Sequence, residues 1–397
     1  MLYDDYTASS VSANTDIEYT FTVTTTQYGR FRIATSGTVY NHQTIAIYVS
    51  KGDHPIELPH MTGLDSVART MASGKYATEF HTKEDEVVRK VLANRRPDTL
   101  TVALIADTHQ RSVSYGTMND TKKQAYAIAK MAEKVDASVI IHLGDVIQGH
   151  EDTHVLNENS MVELWSYLNR TYIPVLYTIG NHEMNGHNGT SQYMVDPTGL
   201  SMEDCMGLCG FSDKQLFPIY SSDRTNWYVD IKGVRLIGLN STSVSSTRGF
   251  RDADKTFLSD ALTNVSLPVV VFSHVAPIMK NKTVDQGADI INILNTFVDG
   301  GGTLIAYIHG HNHLDSYVAP NTNLDGTTIK FKLIGIACAY VRHYDDDILP
   351  DWYGDPVSPN RTIGTYSEYL FDLVNIHKTD GGTVNLYRFG AGGDRTH

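Results

Sequence analysis

The stretch 102–109 reads Val-Ala-Leu-Ile-Ala-Asp-Thr-His, a short apolar run that ends in two side chains able to bind a metal. The run does not alternate with polar residues, which is typical of a strand buried on both faces. Four further runs share this character, at 138–143, 174–179, 268–272 and 303–308. The polar clusters that follow them are Gly144-Asp145, Gly180-Asn181-His182-Glu183, Ser273-His274 and Gly310-His311-Asn312-His313.

Stretches with helical spacing of apolar residues separate these runs, at 122–135, 161–168, 253–262 and 288–298. Strands that alternate with helices predict βαβ units and a parallel sheet. Ligands of such sheets gather outside the carboxyl ends of the strands, and all five clusters fall at that edge. We therefore predict an α/β fold whose clusters meet at one site.

The cluster residues suit a pair of divalent cations. Asp107 and His109 are two residues apart, so we expect them on the same side of an extended chain, and His311 and His313 repeat this spacing. Two cations about 3.5–4 Å apart activate water and clamp the oxygens of a phosphate ester, and a carboxylate such as Asp145 suits the bridging position. Two cations and two aspartates leave the pocket positive, so the expected substrate is an anionic ester.

The ordered set Asp-x-His, Gly-Asp, Gly-Asn-His-Glu, His and Gly-His-x-His resembles the calcineurin-like metallophosphoesterase family, over about 101–313 and loosely to the C-terminus. The resemblance implies a four-layer αββα sandwich, with 98–397 as the catalytic domain. It also implies hydrolysis of a phosphodiester or phosphomonoester by a metal-bridging hydroxide, with His182 assisting the leaving group. The metal ligands it implies are Asp107, His109 and His313 for one ion, Asn181, His274 and His311 for the other, and Asp145 as the bridge.

At two positions the chain differs from the patterns of particular subfamilies, and these differences narrow the expected activity. Gln148 stands where purple acid phosphatases have a metal-binding Tyr, so a ferric charge-transfer site is not expected. The continuation 146–149 lacks the phosphate-binding Arg of the Ser/Thr protein phosphatases. The broad bacterial and phage phosphodiesterases and phosphatases remain, and the spacing does not choose between them. Such mixed ligands accept two divalent ions, with Mn favoured and Fe, Zn, Co or Ni as alternatives.

Each cluster alone also fits a structural role. The first two fit turns, the third fits a left-handed Gly/Asn loop, and His274 fits a buried core imidazole. Their common order and strand context favour the metal site. His142 and His309 are expected to make structural hydrogen bonds, whereas His150 and His154 lie in a polar loop near Asp145.

Composition limits the remaining functions. The 397 residues, 41% of them hydrophobic, suffice for one large core and one smaller core. The net charge of −13 argues against a duplex nucleic acid partner. No signal peptide and no apolar run of about 18 residues is visible, so we expect a soluble chain, cytoplasmic or associated with a phage particle. Three cysteines form no disulfide framework, and a Cys205–Cys209 bridge is left open.

Residues 1–80 follow a different pattern. The segment 16–24 alternates polar and apolar residues, and 29–34 and 44–49 read as further strands, which predicts an N-terminal all-β domain. This domain is expected to bind a carbohydrate or a protein surface, and a spacer or oligomerisation sheet fits equally. Residues 81–97 are predicted to be a helical or partly ordered connector. A protein that chiefly binds through this domain, and a structural metal-binding scaffold, are the alternatives to an enzyme.

The chain after the last cluster is predicted to return to strands. The segments 328–336, 368–374 and 383–389 alternate and are expected to complete a second sheet. By contrast, 186–226 shows little periodicity and is predicted to form loops at the edge that carries the clusters.

Overall fold

The structure is a computed structural model. It describes residues 48–50, 55–57, 77–111, 121–149, 154–184, 200–201, 204–205, 208, 216–242, 248–340, 353–379 and 381–397. The predicted strands at 16–24 and 29–34, and also His150 and Cys209, lie outside these residues.

The described residues form five α-helices and seventeen strands. The helices are α1 (Ala77–Ala93), α2 (Lys122–Lys134), α3 (His154–Leu168), α4 (Asp252–Leu262) and α5 (Gly287–Asp299). The strands are β1 (Tyr48–Ser50), β2 (Pro55–Glu57), β3 (Thr99–Ile105), β4 (Ile140–His142), β5 (Val175–Tyr177), β6 (Ile219–Tyr220), β7 (Trp227–Ile231), β8 (Val234–Leu239), β9 (Val269–Ser273), β10 (Leu304–His309), β11 (Ser316–Val318), β12 (Thr322–Leu324), β13 (Thr327–Ile329), β14 (Leu333–Gly335), β15 (Leu370–His377), β16 (Val384–Gly390) and β17 (Arg395–Thr396).

The first sheet has six strands in the order β17-β16-β15-β3-β4-β5. Strands β3, β4 and β5 are parallel, with Ala103 opposite Ile140 and Ile140 opposite Val175. Strands β15, β16 and β17 extend the sheet in antiparallel pairs. The parallel part therefore brings the ends of three predicted strands to one edge.

The second sheet has seven strands in the order β11-β14-β10-β9-β8-β7-β6. Its centre, β14-β10-β9-β8, is parallel, and the pairs at both margins are antiparallel. A two-residue turn, Lys232-Gly233, joins β7 to β8, and both of its residues have positive φ. Such a turn matches the twist of a β-hairpin. A separate pair, β12 and β13, forms a short hairpin.

The two sheets pack face to face between helices. Along β3, Ala103 and Ile105 face the core with α1, α2 and α3, whereas Leu100, Val102 and Leu104 enter the core between the sheets. This alternation follows from the two-residue repeat of a strand. Helices α4 and α5 pack on the outer face of the second sheet. The layers are therefore helix, sheet, sheet and helix, and the fold is the α/β class predicted from the sequence.

Several predicted elements are wrong in extent or place. The predicted strand 328–336 is two strands, β13 and β14, because residues 330–332 interrupt it. Strands β15 and β16 belong to the first sheet instead of completing the second. Helix α3 begins at His154, seven residues before its predicted start. The predicted loop region 186–226 contains β6, and β7 and β8 follow it without having been predicted.

Helix α1 covers most of the predicted connector and packs on the first sheet. Its Phe80, Val87 and Val91 join the core that contains Phe371 of β15 and Phe389 of β16. Of the predicted N-terminal β domain, the structure describes the antiparallel pair β1-β2 and the start of α1. The all-β domain and the domain boundaries at 80 and 97 therefore stay predictions.

Two further features concern the whole described chain. Among its helices, none is long and apolar enough to cross a membrane. Cys205 is fully buried and carries a free thiol, and Cys209, the other residue of the bridge that the sequence left open, is outside the described residues.

Candidate metal centre

Asp107 and His109 come from the loop that follows β3. Their backbone is left-handed, with φ of 52° and 47°, so the chain is not extended there as the sequence analysis assumed. Backbone hydrogen bonds hold this shape, since Asp107 N donates to Gly144 O and His109 N donates to Asp145 O, both at 3.0 Å. Asp and His tolerate left-handed φ better than most residues, but each such position costs about 1–3 kcal/mol.

His311 and His313 sit in a similar loop after β10, with φ of 66° and 60°. The backbone N–H of His311 points at Asp107 and lies 3.1 Å from both of its carboxylate oxygens. A Cβ on Gly310 would lie 2.7 Å from the Asp107 carboxylate, so this close approach requires glycine. Asp107 therefore connects the ligand loops of the two sheets.

One group of four side chains brings together Asp107, His109, Asp145 and His313. The two imidazole Nε2 atoms of His109 and His313 are 3.0 Å apart, and Nε2 of His313 is 3.3 Å from Asp107 Oδ1. Nε2 of His109 is 3.8 Å from Asp145 Oδ2. All four side chains are buried, and one ligand atom from each lies within 4.8 Å of the others.

A second group contains Asp145, His274 and His311, again with ligand atoms within 4.8 Å of one another. Nε2 of His274 lies 3.2 Å from Asp145 Oδ2, 3.2 Å from His311 Nδ1 and 3.0 Å from Asn181 Oδ1. Asp145 belongs to both groups. The fold thus brings all seven predicted ligands to one place, although their binding of metal stays a prediction.

The donor atoms fit a pair of divalent cations. Three atoms that carry lone pairs, Asp145 Oδ2, His311 Nδ1 and Asn181 Oδ1, converge around His274 Nε2, and a single proton on that nitrogen satisfies only one of them at a time. A cation satisfies them together. Donors at right angles about 2.1 Å from an ion lie about 3 Å apart, as these do. Carboxylate, amide and imidazole ligands are the set that Mn, Fe and Zn accept.

His182 borders the first group without belonging to it. Its Nδ1 lies 2.8 Å from the carbonyl oxygen of Gln148, and its Nε2 lies 3.9 Å from Asp145 Oδ2. The rings of His182 and His109 meet edge to face, with centroids 4.6 Å apart. The backbone N–H of His182 donates to Asp145 Oδ1 at 2.8 Å. The carbonyl of Gln148 therefore orients the ring so that Nε2 faces the centre.

Glu183 organises the loops around Asp145. Its buried carboxylate accepts the backbone N–H groups of Asp145 at 3.3 Å, Val146 at 2.5 Å and Gly180 at 2.9 Å. One side chain thus fixes both Asp145, the predicted bridging residue, and the turn that carries Asn181. Burial and the nearby charge of Asp145 raise the pKa of Glu183 to about 8.

Buried polar neighbours orient the ligand loops. Nδ1 of His274 lies 2.8 Å from Leu143 O, which leaves Nε2 for the centre. His142 contacts Thr108 Oγ1 through Nε2 at 3.0 Å, and Thr108 also donates to Val146 O at 2.8 Å. His309 contacts Gly310 O. Burial lowers the pKa of His142 to about 3 and that of His309 to about 4, so both are neutral structural residues as predicted.

The charges of the centre are interdependent. Burial lowers the pKa of His109 and His311 well below the usual range, so both imidazoles are neutral, as a metal ligand must be. Burial also disfavours a charge on His274, but the Asp145 carboxylate outweighs it and raises the pKa of His274 to about 9. Burial disfavours the charged form of Asp145, but the charge of His274 outweighs it and holds the pKa of Asp145 well below its usual range.

Some residues of the site carried little signal in the sequence. Glu183 was part of a motif without an assigned role, and Gln148 was noted because it replaces a Tyr. Tyr340 was not singled out, yet its ring centroid is 5.7 Å from that of His109. Of the two histidines predicted near Asp145, His154 lies in α3 beside Glu158 and Asp204.

The fold therefore places a candidate centre for two metal ions at the carboxyl ends of the parallel strands of two mixed sheets. The sequence of residues 100–315 matches the family described as calcineurin-like phosphoesterase. This match spans more than half of the chain, so the protein belongs to the calcineurin-like phosphoesterase family. Membership of this family of phosphoester hydrolases implies a dinuclear divalent metal site, for which the two ligand groups are the candidate. Comparison with curated proteins finds no match.

Three solved structures illustrate the proteins to which this chain is similar. A dimetal phosphatase from Danio rerio is 13% identical and covers 75% of this chain and 98% of its own, with a TM-score of 0.49. A structure of PhoD is 10% identical and covers 75% of this chain and 71% of its own, with a TM-score of 0.44. GAP50, described as the anchor in the inner membrane complex of Plasmodium, is 11% identical and covers 75% of this chain and 88% of its own, with a TM-score of 0.42.

Proposed function

We propose that this protein hydrolyses a phosphomonoester or phosphodiester with two divalent cations, held by the seven ligands predicted from the sequence. The observation that carries the proposal is the membership of Asp145 in both ligand groups. A carboxylate between two cation positions keeps them close enough to act on one phosphate. When bound, the cations neutralise the phosphate oxygens and activate water.

The chain's own residues divide the remaining work. Asp107, His109 and His313 hold one cation, and Asn181, His274 and His311 hold the other. Residues from both sheets would hold the two cations, because Asp107 follows a strand of the first sheet and His311 follows a strand of the second. The substrate's anionic group is drawn to this pocket by charge, since the two cations outweigh the two aspartates.

His182 is the residue we assign to the leaving group. Because its Nδ1–H donates to Gln148 O, its other nitrogen, Nε2, faces the centre and carries the transferable proton when the ring is charged. Burial lowers the pKa of His182, which makes the charged imidazole a stronger acid. The ring is thus placed to protonate the oxygen that departs from phosphorus.

Two finer assignments belong to this proposal. We favour Mn at both positions, with Fe, Zn, Co and Ni as alternatives, because Asn and Asp oxygens join the imidazoles in the ligand set. We also place the activity among the broad bacterial and phage type esterases. Gln148 supports this, since it supplies a carbonyl to His182 instead of a phenolate to the metal.

The non-enzymatic alternatives lack a supporting observation among the described residues. Binding of a carbohydrate or a protein surface was predicted for 1–80, most of which lies outside the described part of the chain. A structural metal scaffold does not account for His182, whose ring faces the centre without belonging to either ligand group. Hydrolysis is therefore the function we put forward.

The test is an assay with p-nitrophenyl phosphate and bis-p-nitrophenyl phosphate, with Mn added and after chelation. We expect release of p-nitrophenol that chelation abolishes, and the preferred substrate distinguishes monoesterase from diesterase. His182→Ala should lower kcat about 10²–10⁴-fold with metal content retained. Asp145→Asn should remove metal, because it weakens both positions at once.

A matched control is His154→Ala, a partly exposed histidine of α3 beside Glu158. It should change neither kcat nor metal content. Equal loss of metal in His182→Ala and Asp145→Asn would contradict the division of roles. Turnover that persists after full removal of metal would contradict the proposed function itself.

A further inference from the structure

A short segment, Ile336–Tyr340, which we call the bridging segment, follows β14 and connects the ligand loops of both sheets. Ile336 N donates to His309 O at 2.9 Å, at the end of β10. Ala339 N donates to Ala106 O at 2.8 Å, and Tyr340 N donates to Asp107 O at 3.0 Å. Tyr340 is thus fixed through its own backbone to a predicted metal ligand.

A buried guanidinium holds the bridging segment from the other side. Arg361 is 6% exposed and donates to three consecutive carbonyls, those of Cys338 at 2.7 Å, Ala339 at 2.6 Å and Tyr340 at 2.8 Å. Burial lowers the pKa of Arg361 to about 10, so the group stays charged near neutral pH. A planar, charged group bound to three carbonyls leaves the backbone of Tyr340 little freedom to shift.

The Tyr340 ring stands at the edge of the metal centre. Its centroid lies 5.7 Å from that of His109, at an interplanar angle of 67°. The His182 ring, which we assign to the leaving group, borders the same imidazole at 4.6 Å. Tyr340 is partly buried, so part of its side chain remains open to solvent. The rings of Tyr340 and His182 therefore border the same predicted metal ligand, His109.

We propose that Tyr340 forms a leaving-group subsite that favours planar aromatic groups, such as an aryl or nucleobase-bearing alcohol, over small alkyl groups. The proposal deepens the proposed function and rests on it. A ring fixed at its backbone by Asp107 and Arg361 offers an apolar face without losing much freedom on binding. Stacking or edge-to-face contact with such a ring corresponds to about a tenfold gain in affinity.

The test is calorimetric binding of phenylphosphonate and ethylphosphonate to the Mn-loaded protein. Both ligands carry the same anionic head, so the ratio of their Kd values reports the contact of the organic group. We expect the wild type to bind phenylphosphonate about tenfold more tightly. Tyr340→Ala should reduce the ratio to about one, whereas Tyr340→Phe should keep it because the ring is retained.

The control is Tyr172→Ala, a tyrosine that is 54% exposed and contacts Asp136, and it should leave the ratio unchanged. A phenyl preference that survives Tyr340→Ala would overturn the subsite. Loss of Mn from Tyr340→Ala would overturn it as well, because the residue would then act by holding Asp107. Failure of the proposed function has a different signature, namely that the wild type binds neither phosphonate.

Discussion

Replacing Arg388 by Met should destabilise the protein more than the loss of an exposed ion pair would. Arg388 is 3% exposed and lies between two carboxylates. It donates to Asp372 at 2.8 and 3.0 Å and to Asp315 at 2.8 and 3.0 Å. Arg395 contacts the same two carboxylates, so two cations and two anions form a closed set of four.

The expected loss of stability follows from the buried charges that remain after the substitution. Without Arg388, two buried aspartates face one guanidinium, and the set carries an uncompensated negative charge. Burial disfavours the charged form of Asp372, and the charges of Arg388 and Arg395 outweigh this and lower its pKa. Removing one partner of a buried pair costs about 3–5 kcal/mol. The guanidinium also donates to Ala391 O at 3.0 Å, and the energies of its five hydrogen bonds do not add, because the bonds are not independent.

The measurement is urea unfolding followed by tryptophan fluorescence, since Trp165 and Trp227 are buried in two different cores. Arg388→Met should lower the free energy of unfolding by about 3–5 kcal/mol. Lys330→Met removes the exposed pair with Asp299 and should cost under about 1 kcal/mol. A loss below about 1 kcal/mol for Arg388→Met would refute the reasoning.

Two further predictions concern the centre and the pH dependence. Glu183→Gln should weaken metal binding about 10–100-fold in equilibrium dialysis, because its amide N–H₂ would confront backbone N–H donors. For Asp223, burial disfavours the charge, but hydrogen bonds from Ser221 and Thr225 and the charge of Arg251 lower its pKa to about 2. Because the pKa of Asp223 is lower in the folded protein than in the unfolded chain, where it is about 3.9, its ionised carboxylate stabilises the folded state above about pH 4. This contribution to stability should disappear as pH falls from about 4 to about 2.

Each of these predictions has a control. Glu158→Gln changes a partly exposed carboxylate of α3 that contacts His154, and it should leave metal binding intact. If Glu183→Gln binds metal as tightly as the wild type, Glu183 does not fix the bridging residue. For the acid prediction, the difference in unfolding free energy between wild type and Asp223→Asn should shrink on acidification. A difference that is constant from pH 6 to pH 2.5 would contradict the lowered pKa of Asp223.

The parallel strands and the ligand clusters could be predicted because their signals are local. A strand buried on both faces needs an unbroken apolar run, and β3, β4, β5, β9 and β10 each have one. Polar residues directly after such runs stand out against them. The convergence of the clusters then follows from the rule for parallel sheets, without knowledge of any contact. The four helices predicted from apolar spacing were found for the same reason.

Sheet membership could not be predicted, because it depends on partners far along the chain. Every residue of β15 is buried, so its sequence does not distinguish one sheet from the other. Its buried Asp372 is satisfied by Arg388 and Arg395, which follow it by 16 and 23 residues. The β7-β8 hairpin is different, since the alternation from Trp227 to Ile231 and the turn Lys232-Gly233 are local signals from which it can be predicted.

Five of the predicted ligands have left-handed backbone conformations, and these explain why buried side chains hold the surrounding loops in place through hydrogen bonds. Asp107, His109, Asp145, His311 and His313 all have positive φ. At about 1–3 kcal/mol each, their combined strain is of the order of the net stability of a domain. The loops keep this shape only because other contacts determine it.

Three of these buried side chains act on different parts of the centre. Glu183 binds three backbone N–H groups around Asp145, and Arg361 binds the segment that contacts Asp107. Arg388 secures Asp315, two residues after His313. Buried contacts from both sheets thus hold these loops in their left-handed shape and keep Nε2 of His313 3.3 Å from Asp107 Oδ1.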